Sequence, residues 1–199
     1  MRATALARAR RCSGYSPTAE CSVLRLGSNG LRTLPAELSQ LSHLRELYLH
    51  GNSLPASELE PILPSLSELE VISTAHLHPV SLLRLSPAML RLSVLVVCCK
   101  VLDINHNRME QLPAAVTHCT NLLKLNADNN VLTELVPGQH SGTAGAAAAL
   151  GHSWRKIQRL YLANNELQDA PALGAELARC LPSLRVCDVS SNYGDLSGE

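Results

Sequence analysis

Cysteine and histidine are the residues of this chain with the widest chemical range, and the sequence holds seven cysteines and eight histidines among 199 residues. The number of cysteines is odd, two are adjacent, and none of their spacings resembles a zinc site. The adjacent pair, Cys98 and Cys99, lies in a valine-rich run without a neighbouring base, which argues against a nucleophile. His76 and His78 have the spacing of a metal pair but lack cysteine or carboxylate partners at ligand spacing. We therefore expect surface histidines and no bound metal.

The motifs that mark common enzyme classes are absent from the sequence. It contains no G-x-x-x-x-G-K-S/T phosphate loop, no H-E-x-x-H zinc motif, no G-x-S-x-G nucleophile turn and no G-x-G-x-x-G dinucleotide fingerprint. The prediction is a protein that is not an enzyme and needs no cofactor.

Charge and hydropathy argue against two further classes of function. Lys+Arg and Asp+Glu each total 17, whereas a nucleic-acid binder normally carries a basic surplus that offsets the phosphates. The apolar stretch 80–99 is interrupted by Arg84, Pro87 and Arg91, and a membrane-spanning helix needs about 20 mostly apolar residues with few charges. We expect no nucleic-acid partner and no membrane span.

One phrase, L-x-x-L-x-L-x-x-N-x-L, recurs along the chain, and leucine fills its apolar places in a sequence that has no phenylalanine. Six copies lie at 21–31, 44–54, 99–109, 122–132, 157–167 and 184–194, and a weaker copy without the asparagine lies at 69–77. The fourth position falls at Leu24, Leu47, Ile72, Leu102, Leu125, Leu160 and Cys187, so the intervals are 23, 25, 30, 23, 35 and 27 residues. Such self-similarity predicts a repeat architecture.

The alternation within the phrase predicts a short strand in every repeat. Its two central apolar residues point inward while their neighbours face outward, and strands of adjacent repeats pair in parallel through a crossover. The asparagine follows where the chain leaves the strand, and an amide there can both donate to and accept from backbone groups. We interpret this ladder as structural rather than ligand-binding; its members are Asn29, Asn52, Asn107, Asn130, Asn165 and Asn192.

Between the strands, residues 34–44 and 112–122 follow L-P-x-x-L-x-x-L-x-x-L. Apolar residues three apart suit a helical turn that faces the core. Pro35 and Pro113 fit the first turn, where a missing N–H costs little.

These motifs resemble the leucine-rich repeat family, whose period is about 20–29 residues. The resemblance implies an α/β solenoid of about seven repeats, shaped as a curved horseshoe, with a parallel concave sheet and helical or irregular convex return legs. The Leu-Pro starts resemble intracellular members, including Ras-group signalling scaffolds. A small GTPase or a phosphatase component is the kind of partner that this resemblance implies.

Several segments depart from the repeat. We expect a disordered or cap-like basic N-terminus at 1–20, the repeat domain at 21–196 and a tail at 197–199. The interval of 30 residues contains an irregular stretch, 78–98, which is either a longer return leg or an insertion. The Gly/Ala-rich stretch 136–153 is predicted to be a flexible loop.

The outward strand positions line the concave sheet, the usual binding face of such solenoids. Tyr48 and Tyr161 are the predicted anchors, because tyrosine is enriched among interface hot spots. Asp103, Asp128 and Asp188 form an acidic run toward the C-terminal half. The full predicted face comprises Arg25, Glu46, Tyr48, His50, Asp103, His106, Lys124, Asn126, Asp128, Arg159, Tyr161 and Asp188.

Cysteines at leucine positions of the phrase, namely Cys21, Cys99, Cys119 and Cys187, are interpreted as buried reduced thiols. Together with the absence of N-x-S/T sequons, they favour a cytoplasmic protein. The arginine-rich start also fits an organelle-targeting peptide, which stays the alternative.

The function predicted from the sequence is a non-catalytic interaction module or scaffold in intracellular signalling, which binds a protein partner on the concave sheet as a monomer. The alternative is the recognition domain of a larger ligase or kinase.

Overall fold

In the computed structural model, the described residues are 21–55, 58–59, 61–74, 98–112, 114–136 and 144–193. The segments predicted at 1–20 and 197–199, and all of the irregular stretch except Cys98, lie outside these residues. His76 and His78 lie outside them as well.

Seven short strands form a single parallel sheet, and their order in the sheet follows their order in the chain. The strands are β1 (Val23–Arg25), β2 (Glu46–Tyr48), β3 (Val71–Ser73), β4 (Val101–Asp103), β5 (Lys124–Asn126), β6 (Arg159–Tyr161) and β7 (Val186–Asp188). This arrangement confirms the predicted α/β solenoid with one strand per repeat.

The strands are in register from one edge of the sheet to the other. The fourth position of each repeat pairs with the fourth position of the next, from Leu24 opposite Leu47 to Leu160 opposite Cys187. At the junction that follows the weak third copy, the Thr74 N–H donates to the Asp103 carbonyl at 2.8 Å. The intervals of 30 and 35 residues therefore leave the sheet uninterrupted.

Alternation along the strands builds the core. The middle strand residue is buried in β1 to β6, and the residue two positions later is buried as well. In β7 the equivalent residues, Cys187 and Val189, are only half-buried. The hydrophobic effect favours packing of this buried side of the sheet against the return legs, and the intervening side chains lie on the opposite face.

The return legs are short helical turns and helices. Turns of the 3₁₀ type occupy Ala36–Gln40 and Leu63–Ser65, and the helices are α1 (Ala114–Thr117), α2 (Ala144–Ser153) and α3 (Ala170–Cys180). Pro35 immediately precedes the first 3₁₀ turn, and the side chain of Leu38 within that turn is buried.

The prediction of a flexible loop at 136–153 is wrong for residues 144–153, which form helix α2. Alanine is the best helix former, and the side chains of Ala147 and Leu150 are buried. Trp154, which follows α2, is fully buried and donates its indole N–H to the Val116 carbonyl at 3.0 Å. A Cβ on Gly151 would lie 2.9 Å from the Cys180 carbonyl oxygen, so α2 packs closely against the end of α3.

The ladder asparagines link each repeat to the one before it. The Asn52 amide nitrogen donates to the carbonyls of Leu49, in its own repeat, and Leu26, in the preceding one, at 2.7 and 2.9 Å. Its Oδ1 accepts the Leu31 N–H at 2.9 Å. The same links to the preceding repeat recur for Asn130 with Ile104 and Met109, Asn165 with Ala127 and Leu132, and Asn192 with Leu162 and Leu167.

The ladder is incomplete where the third copy of the phrase lacks its asparagine. Asn107 still donates to the Ile104 carbonyl at 2.7 Å, and to Thr74 at 3.4 Å. Its buried Oδ1, however, has no hydrogen-bond partner among the described residues, and neither has the buried Thr74 Oγ1. The third and fourth repeats therefore share the sheet but only part of the asparagine link.

Removing a central ladder side chain should destabilise the whole domain. We expect Asn165→Ala to lower the free energy of unfolding by about 2 kcal/mol, because the buried Leu132 N–H would lose its partner, while the Ala127 carbonyl would keep its bond from Asn130. Asn29→Ala is the control: Asn29 is exposed, and the Leu26 carbonyl that it contacts is also held by Asn52. Its cost should stay below about 1 kcal/mol. Urea unfolding followed by circular dichroism measures both, and equal losses would contradict a structural role specific to the buried ladder.

Candidate binding face of the sheet

The side chains that do not enter the core form one surface, which we call the strand face. It comprises the third, fifth and seventh residues of each repeat, so parallel pairing places equivalent residues of adjacent strands side by side. The fifth-position row runs Arg25, Tyr48, Ser73, Asp103, Asn126, Tyr161 and Asp188.

The structure places the predicted binding residues on or beside this face. Four of them are exposed, namely Arg25, His50, His106 and Arg159. The other eight are half-buried, namely Glu46, Tyr48, Asp103, Lys124, Asn126, Asp128, Tyr161 and Asp188. Ser73 and Ala163 also occupy outward rows, yet their neighbours bury both. Both side chains are small, and Ser73 lies in the row between the larger Tyr48 and Asp103.

At the β1–β2 end of the strand face, three side chains form a closed cluster. The Arg25 guanidinium lies over the Tyr48 ring, 5.3 Å from its centroid, and 3.8 Å from a Glu46 carboxylate oxygen. The Tyr48 hydroxyl donates to that carboxylate oxygen at 3.0 Å. Burial and this hydrogen bond to Glu46 raise the pKa of Tyr48. Nearby, the His50 ring lies over Gly27, where a Cβ would come within 2.3 Å of it.

Tyr161 is covered in the same way at the other end of the sheet. The Lys124 ammonium lies 5.4 Å from the centroid of its ring, again from the preceding strand. A cation over an aromatic face contributes about 0.5–1 kcal/mol at exposed sites and restricts the ring. The sequence pattern predicts both tyrosines on this face but not these cations, because spacing places a long side chain on a face without fixing where its charged end lies.

The three aspartates of the acidic run are each oriented by a backbone N–H. Asp188 accepts the Ser190 N–H at 3.0 Å and the Ser190 hydroxyl at 2.7 Å. Asp103 accepts the Asn105 N–H at 3.4 Å. Asp128 reaches the next strand and accepts the Ala163 N–H at 2.7 Å. In all three the bonded oxygen is Oδ1.

Two of these carboxyl groups have pKa values shifted in opposite directions. Burial raises the pKa of Asp128, and the like charges of Asp188 and Asp103 add to this, while the Ala163 N–H and His106 lower it. The hydroxyl and N–H of Ser190 lower the pKa of Asp188. Asp128 therefore lies within electrostatic reach of both other carboxylates, Asp103 and Asp188.

The two buried cysteine thiols do not resemble activated nucleophiles. Cys99 and Cys119 are buried, and burial raises the pKa of Cys119 to about 12 and that of Cys99 further still. A reactive thiol needs a lowered pKa and access to solvent. Cys21 and Cys187, on the two edge repeats, are half-buried.

A metal-binding cluster and a membrane-spanning helix are both absent from the described part of the chain. No group of three or more His, Cys, Asp or Glu side chains is arranged to hold a metal ion. None of the helices described is both long and apolar enough to cross a membrane.

Neutralising these aspartates should change stability in opposite directions. Asp128→Asn keeps the acceptor for Ala163 but removes a carboxylate that the fold disfavours. We expect it to raise the free energy of unfolding at pH 7 by on the order of 0.5 kcal/mol, since solvent screens such charges. The gain should vanish in acid, as the pH falls through the raised pKa of Asp128 and the wild-type carboxyl group becomes neutral.

Asp188→Asn is the matched variant with the opposite sign. Its lowered pKa means that the carboxylate stabilises the fold above the ordinary aspartate pKa, and that this contribution is lost as the pH falls through the lowered value. The variant should therefore be less stable than wild type at pH 7, with the difference disappearing in acid. Thermal unfolding between pH 3 and pH 8 measures both, and shifts of the same sign would contradict the assigned environments.

Comparison with known proteins supports the repeat architecture. The sequence pattern of the Leucine Rich Repeat family matches residues 43–69. Among curated proteins, no sequence match was found. A solved leucine-rich repeat protein of Leptospira interrogans is 26% identical and superposes with a TM-score of 0.66. The match covers 96% of this chain and 40% of the Leptospira chain. The chain thus spans well under half the length of that protein.

Two more distant structures share the fold. The internalin C2 of Listeria monocytogenes is 19% identical, with a TM-score of 0.55, over 88% of this chain and 74% of its own. The ectodomain of the Arabidopsis thaliana receptor kinase GASSHO1/SCHENGEN3 is 20% identical, with a TM-score of 0.51, over 86% of this chain and 21% of its own. With one strand per repeat, an asparagine ladder and these similar structures, the chain has the fold of leucine-rich repeat proteins.

Proposed function

We propose that the chain is a non-catalytic interaction module that binds a protein partner on the strand face. The observation that carries the proposal is the uninterrupted sheet, one side of which presents aligned polar and aromatic side chains. The other side is closed by the core.

The dimensions of the strand face suit a protein partner. Seven strands spaced about 4.8 Å apart span roughly 29 Å, which is wide enough for the ~800 Å² that one partner contributes to a standard interface. Tyr48 and Tyr161 supply aromatic area, and the cations above their rings restrict them before binding. Preorganised side chains lose less conformational entropy when a partner docks.

A relative of the same fold supports a recognition role. The solved Arabidopsis ectodomain is in complex with CASPARIAN STRIP INTEGRITY FACTOR 2. Leucine-rich repeat proteins are in general binding modules, and we extend that property to this chain.

We further propose a cytoplasmic signalling role, in which the module acts as a scaffold and binds as a monomer. The Leu-Pro return legs and the reduced thiols favour an intracellular member of the family. A small GTPase or a phosphatase component is the corresponding partner class.

A second candidate is the recognition domain of a larger protein with a catalytic part, such as a ligase or a kinase. It is favoured by one relative, since the Arabidopsis structure is the repeat ectodomain of a membrane receptor kinase. A transcript that fuses these repeats in frame to a catalytic domain would favour this candidate over a free-standing scaffold.

Removing both strand-face tyrosines should abolish partner binding. We expect the Tyr48→Ala/Tyr161→Ala variant to capture at least tenfold less partner than wild type, since truncating a hot-spot residue costs about 2 kcal/mol or more of binding free energy. Quantitative mass spectrometry of affinity captures from cells measures this loss against the wild-type chain.

The control is Tyr193→Ala, because Tyr193 is 54% exposed but follows the last ladder asparagine rather than lying on a strand. It should retain the partner. Identical captures by the wild type and the double variant would contradict binding on the strand face.

A further inference from the structure

We infer that the partner docks on the β4–β7 half of the strand face and presents arginine or lysine side chains to it. This inference rests on the proposed function and narrows it to one half of the sheet and one partner chemistry.

The charged groups of the β1–β2 end already satisfy one another. Arg25 and Glu46 form an ion pair, the Tyr48 hydroxyl donates to Glu46, and the Arg25 guanidinium covers the Tyr48 ring. A partner docking there would have to disrupt or match a closed cluster. The cluster therefore offers little unbalanced charge.

The aspartates of the other half are arranged differently. Each uses Oδ1 to accept a backbone N–H, and none of their Oδ2 atoms has a hydrogen bond from the described residues. Five ion pairs occur within the described ranges, and none includes Asp103, Asp128 or Asp188. The backbone thus holds three carboxylates in place, none of them in an ion pair with a lysine or arginine of the described residues, and His106 is the basic side chain that acts on Asp128.

The basic residues of this half are separated from these carboxylates by position along the strands. Lys124 and Arg159 occupy the third-position row, whereas the aspartates occupy the fifth and seventh rows, about 7 Å or more further along. Lys124 is also directed to the Tyr161 ring. By backbone position the half-face is therefore basic where the strands begin and acidic where they end, and Tyr161 lies in the same row as Asp103 and Asp188.

Two further acceptors or donors without partners lie in the same area. The Asn105 Oδ1, in the seventh-position row beside Asp128, is shielded from solvent and has no hydrogen-bond partner in the described chain. The Tyr161 hydroxyl likewise has no hydrogen bond from the residues that the structure describes. The Asn105 Oδ1 is closed to a partner as it is to water, whereas the half-buried Tyr161 side chain can offer its hydroxyl to one.

Arginine and lysine side chains match this arrangement. A guanidinium carries five N–H donors and no acceptor, and pairs with carboxylates in a bidentate manner. Charge complementarity of this kind determines orientation and partner choice. We therefore commit to a basic segment of a partner protein as the occupant.

Peptide display on the intact, immobilised chain tests the inference with a defined probe, a library of random dodecapeptides. The peptides selected by wild type should be enriched in arginine and lysine, and their affinity should fall as salt is raised. In a titration, the affinity of the best peptide for the Asp128→Asn/Asp188→Asn variant should be at least roughly tenfold lower than its affinity for wild type. The control is Glu68→Gln/Glu176→Gln, which removes two carboxylates off the strand face and should bind as wild type does.

The outcomes separate this inference from the proposed function. Binders that depend on Arg25 and Tyr48, but not on the aspartates, would overturn the inference and leave the strand face as the binding surface. Acidic peptides that bind on the strand face would have the same two consequences. A selection in which no binder depends on any strand-face residue would overturn both. Circular dichroism of each variant at the assay pH verifies that lost binding does not reflect unfolding.

Discussion

Two sets of hydrogen bonds hold each repeat to the next, and every functional feature of the chain depends on them. The N–H after each strand donates to the fifth-position carbonyl of the following strand, as from Leu26 to Tyr48 and from Ala127 to Tyr161. The ladder asparagine then joins its own turn to the preceding one. Because Asn52, Asn130, Asn165 and Asn192 each bond to backbone groups of two successive repeats, these repeats cannot slip by one residue without leaving such groups unpaired.

This fixed register converts a one-dimensional sequence repeat into a two-dimensional surface. Equivalent residues 23 to 35 positions apart become neighbours at strand spacing, which lets Asp128 reach the Ala163 N–H and lets Lys124 reach the Tyr161 ring diagonally on the adjacent strand. The strand face is therefore composed of side chains that are held before any partner arrives. Its two halves differ in how far their charges are internally compensated, and that difference points to the β4–β7 half as the docking half.

The sequence pattern was sufficient for the strands, their parallel order and the outward rows, because leucine alternation and the asparagine position are local signals that repeat. Helix α2 was missed because an alanine–glycine run has no apolar periodicity, and its stability comes from contacts such as those of Leu150 and Trp154. The burial of Ser73 and the positions of the cations over the tyrosines likewise could not be predicted from the sequence pattern. They depend on the sizes and rotamers of neighbours brought together only by the fold.

The junction between β3 and β4 tests most directly whether the sheet is one rigid platform, because there the asparagine link is partial and the interval is long. Native-state hydrogen exchange, read at the Thr74 and Lys100 amides, measures it: these groups bond across the junction to Asp103 and Glu70 at 2.8 and 2.7 Å. A single platform predicts protection of both amides close to that of Leu49 and Ala127. Fast exchange at Thr74 and Lys100, with slow exchange on either side, would divide the sheet into two blocks and contradict the account.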